Sequence, residues 1–228
     1  MIPFFLRHYE SLVDRMVIFD DSSTDRSRKL LEASPKVEFR QLKQGESSNL
    51  MRVEEMNRCW KESRGRADWV IIADIDEHIY HRGLRDYLEH CKGEGITILD
   101  PVGYDLISAD FPTSVDTLSQ TIRVGVRSCL LDKKAVFNPN AIEEINYQIG
   151  RHFAAPVGRI AFPADREVML LHYKHLGLEY LLWRSQALKD RTTALDRERG
   201  WGAHYYRPAD QIGLEFEMMF RSADYVIV

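Results

Sequence analysis

Three carboxylates within four positions, Asp74, Asp76 and Glu77, close the apolar run Trp69-Val70-Ile71-Ile72. Acids this close are costly to bury unless something positive sits among them. The apolar run reads as a strand buried on both faces, as in parallel sheets covered by helices. The carboxyl ends of such strands are where open α/β sheets bind ligands. A hard divalent ion carrying a phosphorylated ligand would neutralise the cluster. A lone Asp-x-Asp is equally the mark of a strand ending in a solvated acidic turn, so the rest of the chain decides.

Two further groups bear on it. Met16-Val17-Ile18-Phe19 runs into Asp20-Asp21-Ser22-Ser23-Thr24-Asp25, and Val168-Met169-Leu170-Leu171 delivers His172, Tyr173 and Lys174. We expect the strand ends at Phe19 and Ala73 on the same edge of one sheet. Asp20 and Asp21 can then accept hydrogen bonds from a nucleobase or ribose, while Asp74 and Asp76 hold a ribose and a metal ion. A neutral His172 completes a mixed oxygen and nitrogen sphere that suits Mn²⁺ at least as well as Mg²⁺. Such an ion bridges the two phosphates of a nucleoside-diphosphate sugar and neutralises the departing diphosphate. An acceptor hydroxyl, a carboxylate base and correct placement complete the chemistry. Glu144 and Glu77 are the base candidates, with Glu143, Asp105 and Asp110 as alternatives. Lys134, Arg151, His152 and Lys174 are candidate contacts to the diphosphate.

The positioning elements follow from periodicity. Apolar residues at 2, 4, 5, 9, 12 and 13 predict a helix over 2–13, with Pro3 in its first turn. Strand 16–19, helix 26–32 capped by Thr24 or Asp25, strand 37–42, helix 50–63 and strand 69–73 then alternate. That order is the signature of a doubly wound, mostly parallel α/β sheet. A helix over 84–91 and a strand over 95–100 follow. From Pro101, glycines and prolines punctuate short apolar pieces, read as irregular strands and loops at the ligand edge, before a helix from Leu176 to about Thr192. In the aromatic tail, 196–228, Trp201, His204, Tyr205 and Tyr206 either line an acceptor groove or, as we favour, provide satellite packing.

Composition narrows the classes. A chain of 228 residues can bury a full core, and we expect a single domain, 1–228, with a nucleotide-binding half (1–100) and an acceptor half (101–228). The formal net charge of −4 gives no global attraction to nucleic acid or anionic membrane, so an anionic ligand needs local cations or a metal. Three dispersed cysteines with no zinc spacing read as reduced thiols of a cytoplasmic protein. No stretch approaches the roughly 20 apolar residues of a membrane helix. Neither G-x-G-x-x-G nor a P-loop occurs, which places a nucleotidyltransferase last.

Phe19 to Asp25, followed about fifty residues later by Trp69 to Glu77, resembles the GT-A glycosyltransferases of the family 2 type, and most of all a bacterial branch with a D-x-D-E turn. The segments 134–139, 150–152 and 170–174 are similar to others in that branch, so the resemblance covers about residues 1 to 205. It implies a GT-A-like fold and an inverting direct displacement on a nucleotide sugar, expected to be UDP-linked, with a carbohydrate or glycoconjugate acceptor. Asp20 and Asp21 match the nucleotide-binding turn, Asp74 and Asp76 the metal and nucleotide motif, and His172 a late metal ligand. The implied partners are the donor and acceptor, without nucleic acid or an integral membrane segment. Such enzymes begin with a further strand ending in Asn-Glu. This chain starts at the following helix, so the expectation is a sheet lacking that strand. The alternative is a non-catalytic GT-A-like module that binds a glycan or a protein.

Overall fold

Helix and strand alternate through the first hundred residues, and the computed structural model describes residues 1–226. Helix α1 (Ile2–Tyr9) opens with its proline and buries Phe4, Phe5, His8 and Tyr9. Strand β1 (Met16–Asp20), helix α2 (Ser27–Leu31) and strand β2 (Val37–Gln41) form a parallel pair with its crossover helix, Met16 opposite Val37 and Asp20 opposite Gln41. Asp25 is the residue that accepts the Ser27 N–H, at 2.8 Å. Helix α3 (Ser48–Arg58) tightens into a 3₁₀ turn over Cys59–Ser63, which carries the buried Trp60.

Next come β3 (Val70–Ile71), β4 (Glu77–Tyr80), α4 (Leu84–Gly93), β5 (Ile98–Leu99) and β6 (Val102–Ser108). The middle of the chain supplies α5 (Leu118–Thr121), β7 (Val124–Arg127), β8 (Val136–Phe137), β9 (Ile142–Glu144) and β10 (Val157–Gly158). It closes with β11 (Met169–Leu176), α6 (Leu178–Asp190), α7 (Ala194–Glu198), α8 (Ala209–Ser222) and β12 (Asp224–Tyr225). The sheets are β1-β2, β10-β9, β3-β8-β5 and β12-β7-β6-β11-β4.

Two expectations are corrected here. The ladders β3/β8, β5/β8, β4/β11, β9/β10 and β7/β12 are all antiparallel, unlike the mostly parallel sheet predicted. The strand ends at Phe19 and Ala73 belong to different sheets, not to one edge. An apolar run specifies burial but not the direction of its neighbour. Here Val136 and Phe137, fully buried, provide an antiparallel partner for Val70 and Ile71. Burial itself falls later than the pattern suggests: Trp69 to Ile72 are half-buried, whereas Asp76 to Ile79 are buried.

The chain divides into two compact units, each built from separated stretches, so they do not coincide with the halves 1–100 and 101–228. One comprises Met1–Met51, Leu106–Gly125 and the described residues from Lys174 onward. Its core includes Ile107, Leu181, Ile212 and Phe216. The other comprises Arg52–Asp105 and Val126–Tyr173, with Trp60, Ile98, Phe137, Ile142, Ile145 and Tyr147 packed together. The Trp60 and Phe137 rings meet edge to face at 5.0 Å. Among the described residues no helix is long and apolar enough to cross a membrane. The tail contributes α8 and β12, and its last two residues lie outside the described ones.

In the first unit, Asp196 anchors α7. Thr193 and Asp196 form a reciprocal cap, and the Ser47 hydroxyl donates to the fully buried Asp196 carboxylate. Burial pushes the Asp196 carboxyl up, but hydrogen bonds from Ser47, Thr193 and Asn49 outweigh it, leaving it below its ordinary value of 3.8. A depressed folded value stabilises above the unfolded one, and that stability is lost as pH falls through the folded value. Asp196→Asn is therefore expected to cost about 1–3 kcal/mol at neutral pH. The gap to the parent should shrink below pH 3.8. Urea midpoints at pH 7 and pH 3 check this, and a pH-independent gap would refute it.

Candidate active site

The acidic turn is held by its own last residue. The Glu77 N–H donates to the Asp74 carbonyl at 3.0 Å, and the Asp74 N–H returns a bond to Glu77 Oε2 at 3.2 Å. Glu77 is 1% exposed and its carboxylate is paired on both sides, Oε1 with Lys133 Nζ and Oε2 with Arg151 Nη2. Lys133 and Arg151 are themselves 4% and 2% exposed. Arg151 also donates to the Ile72 carbonyl at 2.7 Å and to Asp74 Oδ2 at 2.9 Å. It does so from a left-handed backbone, φ +57°, directly after Gly150 at +77°. An arginine there is strained, and two carboxylates and a backbone carbonyl hold it in place.

Asp74 differs from its neighbours in reaching solvent, its side chain being 47% exposed. Packed atoms push its carboxyl up, but the Arg151 guanidinium and the Lys133 ammonium, 4.0 Å away, prevail over that and over the repulsion from Asp76, holding it at about 2.

A second chain of charges crosses from β11 to β4. His172 lies opposite Glu77 in the ladder, and the Tyr173 N–H donates to the Asp76 carbonyl at 2.7 Å. This register sets His172 Nε2 3.2 Å from Asp76 Oδ2, while Nδ1 lies 2.7 Å from Asp105 Oδ1 on β6. Burial alone would lower the imidazole's affinity for protons. Asp76 and then Asp105 reverse that and raise it to about 9, so at neutral pH the ring is an imidazolium that hydrogen-bonds Asp105 and ion-pairs with Asp76.

The other residues singled out from sequence are placed as follows. Glu144, on β9, pairs with Lys61 and is 46% exposed. The Lys134 carbonyl accepts from the Tyr147 hydroxyl at 2.6 Å, and exposed His152 places Nδ1 2.6 Å from the Leu130 carbonyl. Lys174 is half-buried on β11 and belongs to the first unit. So do Asp20 and Asp21. The buried Asp20 carboxylate accepts the Ser23 N–H at 2.9 Å, closing its own turn, with Ser22 at φ +59°. Asp74, Asp76, Glu77, Arg151 and His172 all fall in the second unit, where the contacts above bring them together. Among the described residues no group of three or more His, Cys, Asp or Glu side chains is arranged as a ready metal cage.

A model of glycosyltransferase family 92 matches residues 1–204. The chain belongs to glycosyltransferase family 92. It is thus a glycosyltransferase, as the motifs at 19–25, 69–77 and 170–174 implied at the level of enzyme class. No curated protein matches the chain. In this family 92 chain the buried partners of Glu77 are Lys133, adjacent to the candidate Lys134, and Arg151, neither of which the local pattern marks as a partner of the acidic turn. The signal available was electrostatic: three clustered acids require buried cations. Nothing in the local pattern said which ones, because Lys133 and Arg151 stand 56 and 74 residues from Glu77.

Proposed function

We propose that this family 92 glycosyltransferase moves a sugar from a nucleoside-diphosphate sugar, UDP-linked, to a hydroxyl of a carbohydrate or glycoconjugate acceptor, with inversion. The fold is taken as GT-A-like, in keeping with the resemblance to the family 2 type. The observation that carries the proposal is the Asp76–His172–Asp105 chain beside the solvent-reaching Asp74.

The donor chemistry of that chain fits a divalent ion. A ligating histidine commonly gives its second ring nitrogen to a carboxylate, the relation of Nδ1 to Asp105. Ions of the Mg²⁺ and Mn²⁺ class take one or two protein ligands and fill the rest with water and phosphate oxygens. Asp76 and His172 would hold the ion, with Asp74 as the open carboxylate of the motif. When bound, Mn²⁺ or Mg²⁺ neutralises charge on the departing diphosphate. His172 must surrender its Nε2 proton to ligate, so binding releases a proton. Asp105 orients the ring, and Glu77 with Lys133 and Arg151 fixes the turn. Lys134 and His152, in the same unit, remain the candidate diphosphate contacts. Arg151, already bound to two carboxylates, acts as a positioning residue. Glu144, half exposed, accepts the proton of the acceptor hydroxyl.

Release of the nucleoside diphosphate from a set of nucleotide sugars, with Mn²⁺ and a glycan mixture, tests the proposal. It fails if no donor is consumed with either ion. Asp105→Asn, which leaves the ligating atoms in place, is expected to weaken Mn²⁺ binding about 10–100-fold. Calorimetric titration of Mn²⁺ in the presence of UDP reads this, and unchanged affinity would remove Asp105 from the site.

A further inference from the structure

In the first unit, a pocket of about 240 Å³ is lined by Arg197, Gly200, Trp201, Ala203 and Tyr206. Trp201 and Tyr206 lie outside the core cluster of Ile107, Leu181, Ile212 and Phe216 in that unit. Trp201 is half-buried and Tyr206 is 39% exposed. Large rings left open at the surface are the informative exception to apolar burial.

The pocket is anchored from beneath. The Trp201 N–H donates to the carbonyl of Asp196 at 2.8 Å, the residue that Ser47 and Thr193 lock in place. Gly200 and Gly202 flank Trp201 with φ of +72° and +79°, so the chain turns sharply on either side of the indole. A Cβ on Gly200 would meet nothing within 4 Å, which marks open space. Arg197 is fixed by a 2.7 Å bond from Nη1 to the Thr192 carbonyl, and Lys189 Nζ sits 5.3 Å from the centre of the Tyr206 ring. Aromatic walls with a few fixed polar groups are the composition of a preformed small-molecule site.

We infer that this pocket binds a sugar ring of a glycan, which rests on the carbohydrate-acceptor reading above. The apolar face of a pyranose presents weakly positive C–H groups that complement the negative face of an indole or phenol ring. Its equatorial hydroxyls leave at the edge, where the Arg197 guanidinium donates. The aromatic tail is then a glycan platform, not the satellite packing favoured from sequence.

The test is equilibrium titration of the full chain, without nucleotide or metal, against tetrasaccharides of glucose, galactose, mannose, xylose and galacturonic acid. At least one is expected to bind, with affinity lowered about tenfold or more in Trp201→Ala and in Tyr206→Ala, as for a truncated aromatic anchor. Trp183→Ala, at a position 65% exposed outside the pocket lining, should bind as the parent does. Melting curves identify any variant that fails to fold, and Trp201→Phe, which keeps an aromatic face, should retain most of the affinity. Binding by none of the sugars, or binding untouched in both alanine variants, overturns the inference. So does UDP binding that Trp201→Ala abolishes, since the pocket would then hold the nucleobase. Acceptor-independent hydrolysis of the nucleotide sugar, measured in parallel, reports the donor site. Its absence in the parent alongside Trp201-dependent glycan binding would sink the donor reading and leave the pocket standing.

Discussion

Arg151→Met is expected to destabilise the protein by about 3–5 kcal/mol, because it removes the buried cation that Glu77 and Asp74 share. The side chain removed is 2% exposed and bonds Asp74, Glu77 and the Ile72 carbonyl together. Glu77 keeps Lys133, but Asp74 loses its nearer partner and retains only the ammonium at 4.0 Å. For a chain of this size each kcal/mol corresponds to about 2–4 °C, so the melting temperature should fall by about 6–20 °C. Adding Asp74→Asn to Arg151→Met should recover part of the loss, since it removes the charge that has lost its nearer partner, and the shortfall from additivity measures their coupling. A loss within about 1 kcal/mol, the size of an exposed ion pair, would show that these charges are solvated after all. Chemical denaturation of the two single variants and the double variant decides it.

Asp76→Asn is expected to abolish the response to nucleotide. In the parent, Mn²⁺ and UDP at about 100 times their dissociation constant should stabilise the folded state by about 2.7 kcal/mol. That corresponds to a rise of about 5–11 °C in melting temperature. The amide keeps the shape of the side chain and removes the charge facing His172 Nε2. Several kcal/mol of charge stabilisation should go with it, lowering transfer at least about 100-fold. A full thermal shift in Asp76→Asn would mean that the donor is held elsewhere, and the proposed site would fall.

The pattern of the chain carried a good deal. Helices α1, α4 and α6 stand close to where apolar periodicity put them, because one buried stripe every 3.6 residues is a local property. The strand delivering His172 was legible for the same reason, and the structure extends it to Leu176. Strand β4 was not, since its four residues, Glu77-His78-Ile79-Tyr80, are mostly polar and yet mostly buried. Their burial depends on a ladder with β11 and on cations brought from elsewhere. Strand direction was misjudged where a two-residue strand, β3, took its partner from β8, more than sixty residues later.

The sequence by itself marked the acids at 74, 76 and 77 and the histidine at 172 as candidates, and its motifs pointed to the enzyme class that the family match shows. Only the tertiary structure decided what each acid faces. Glu77 is locked between Lys133 and Arg151, Asp76 meets His172, and Asp74 alone of the three reaches solvent. The physical reason is that neutralising buried charge is a sum over space. Periodicity along the chain reports which side of an element is buried, but a guanidinium 74 residues away enters that sum only once the chain has folded.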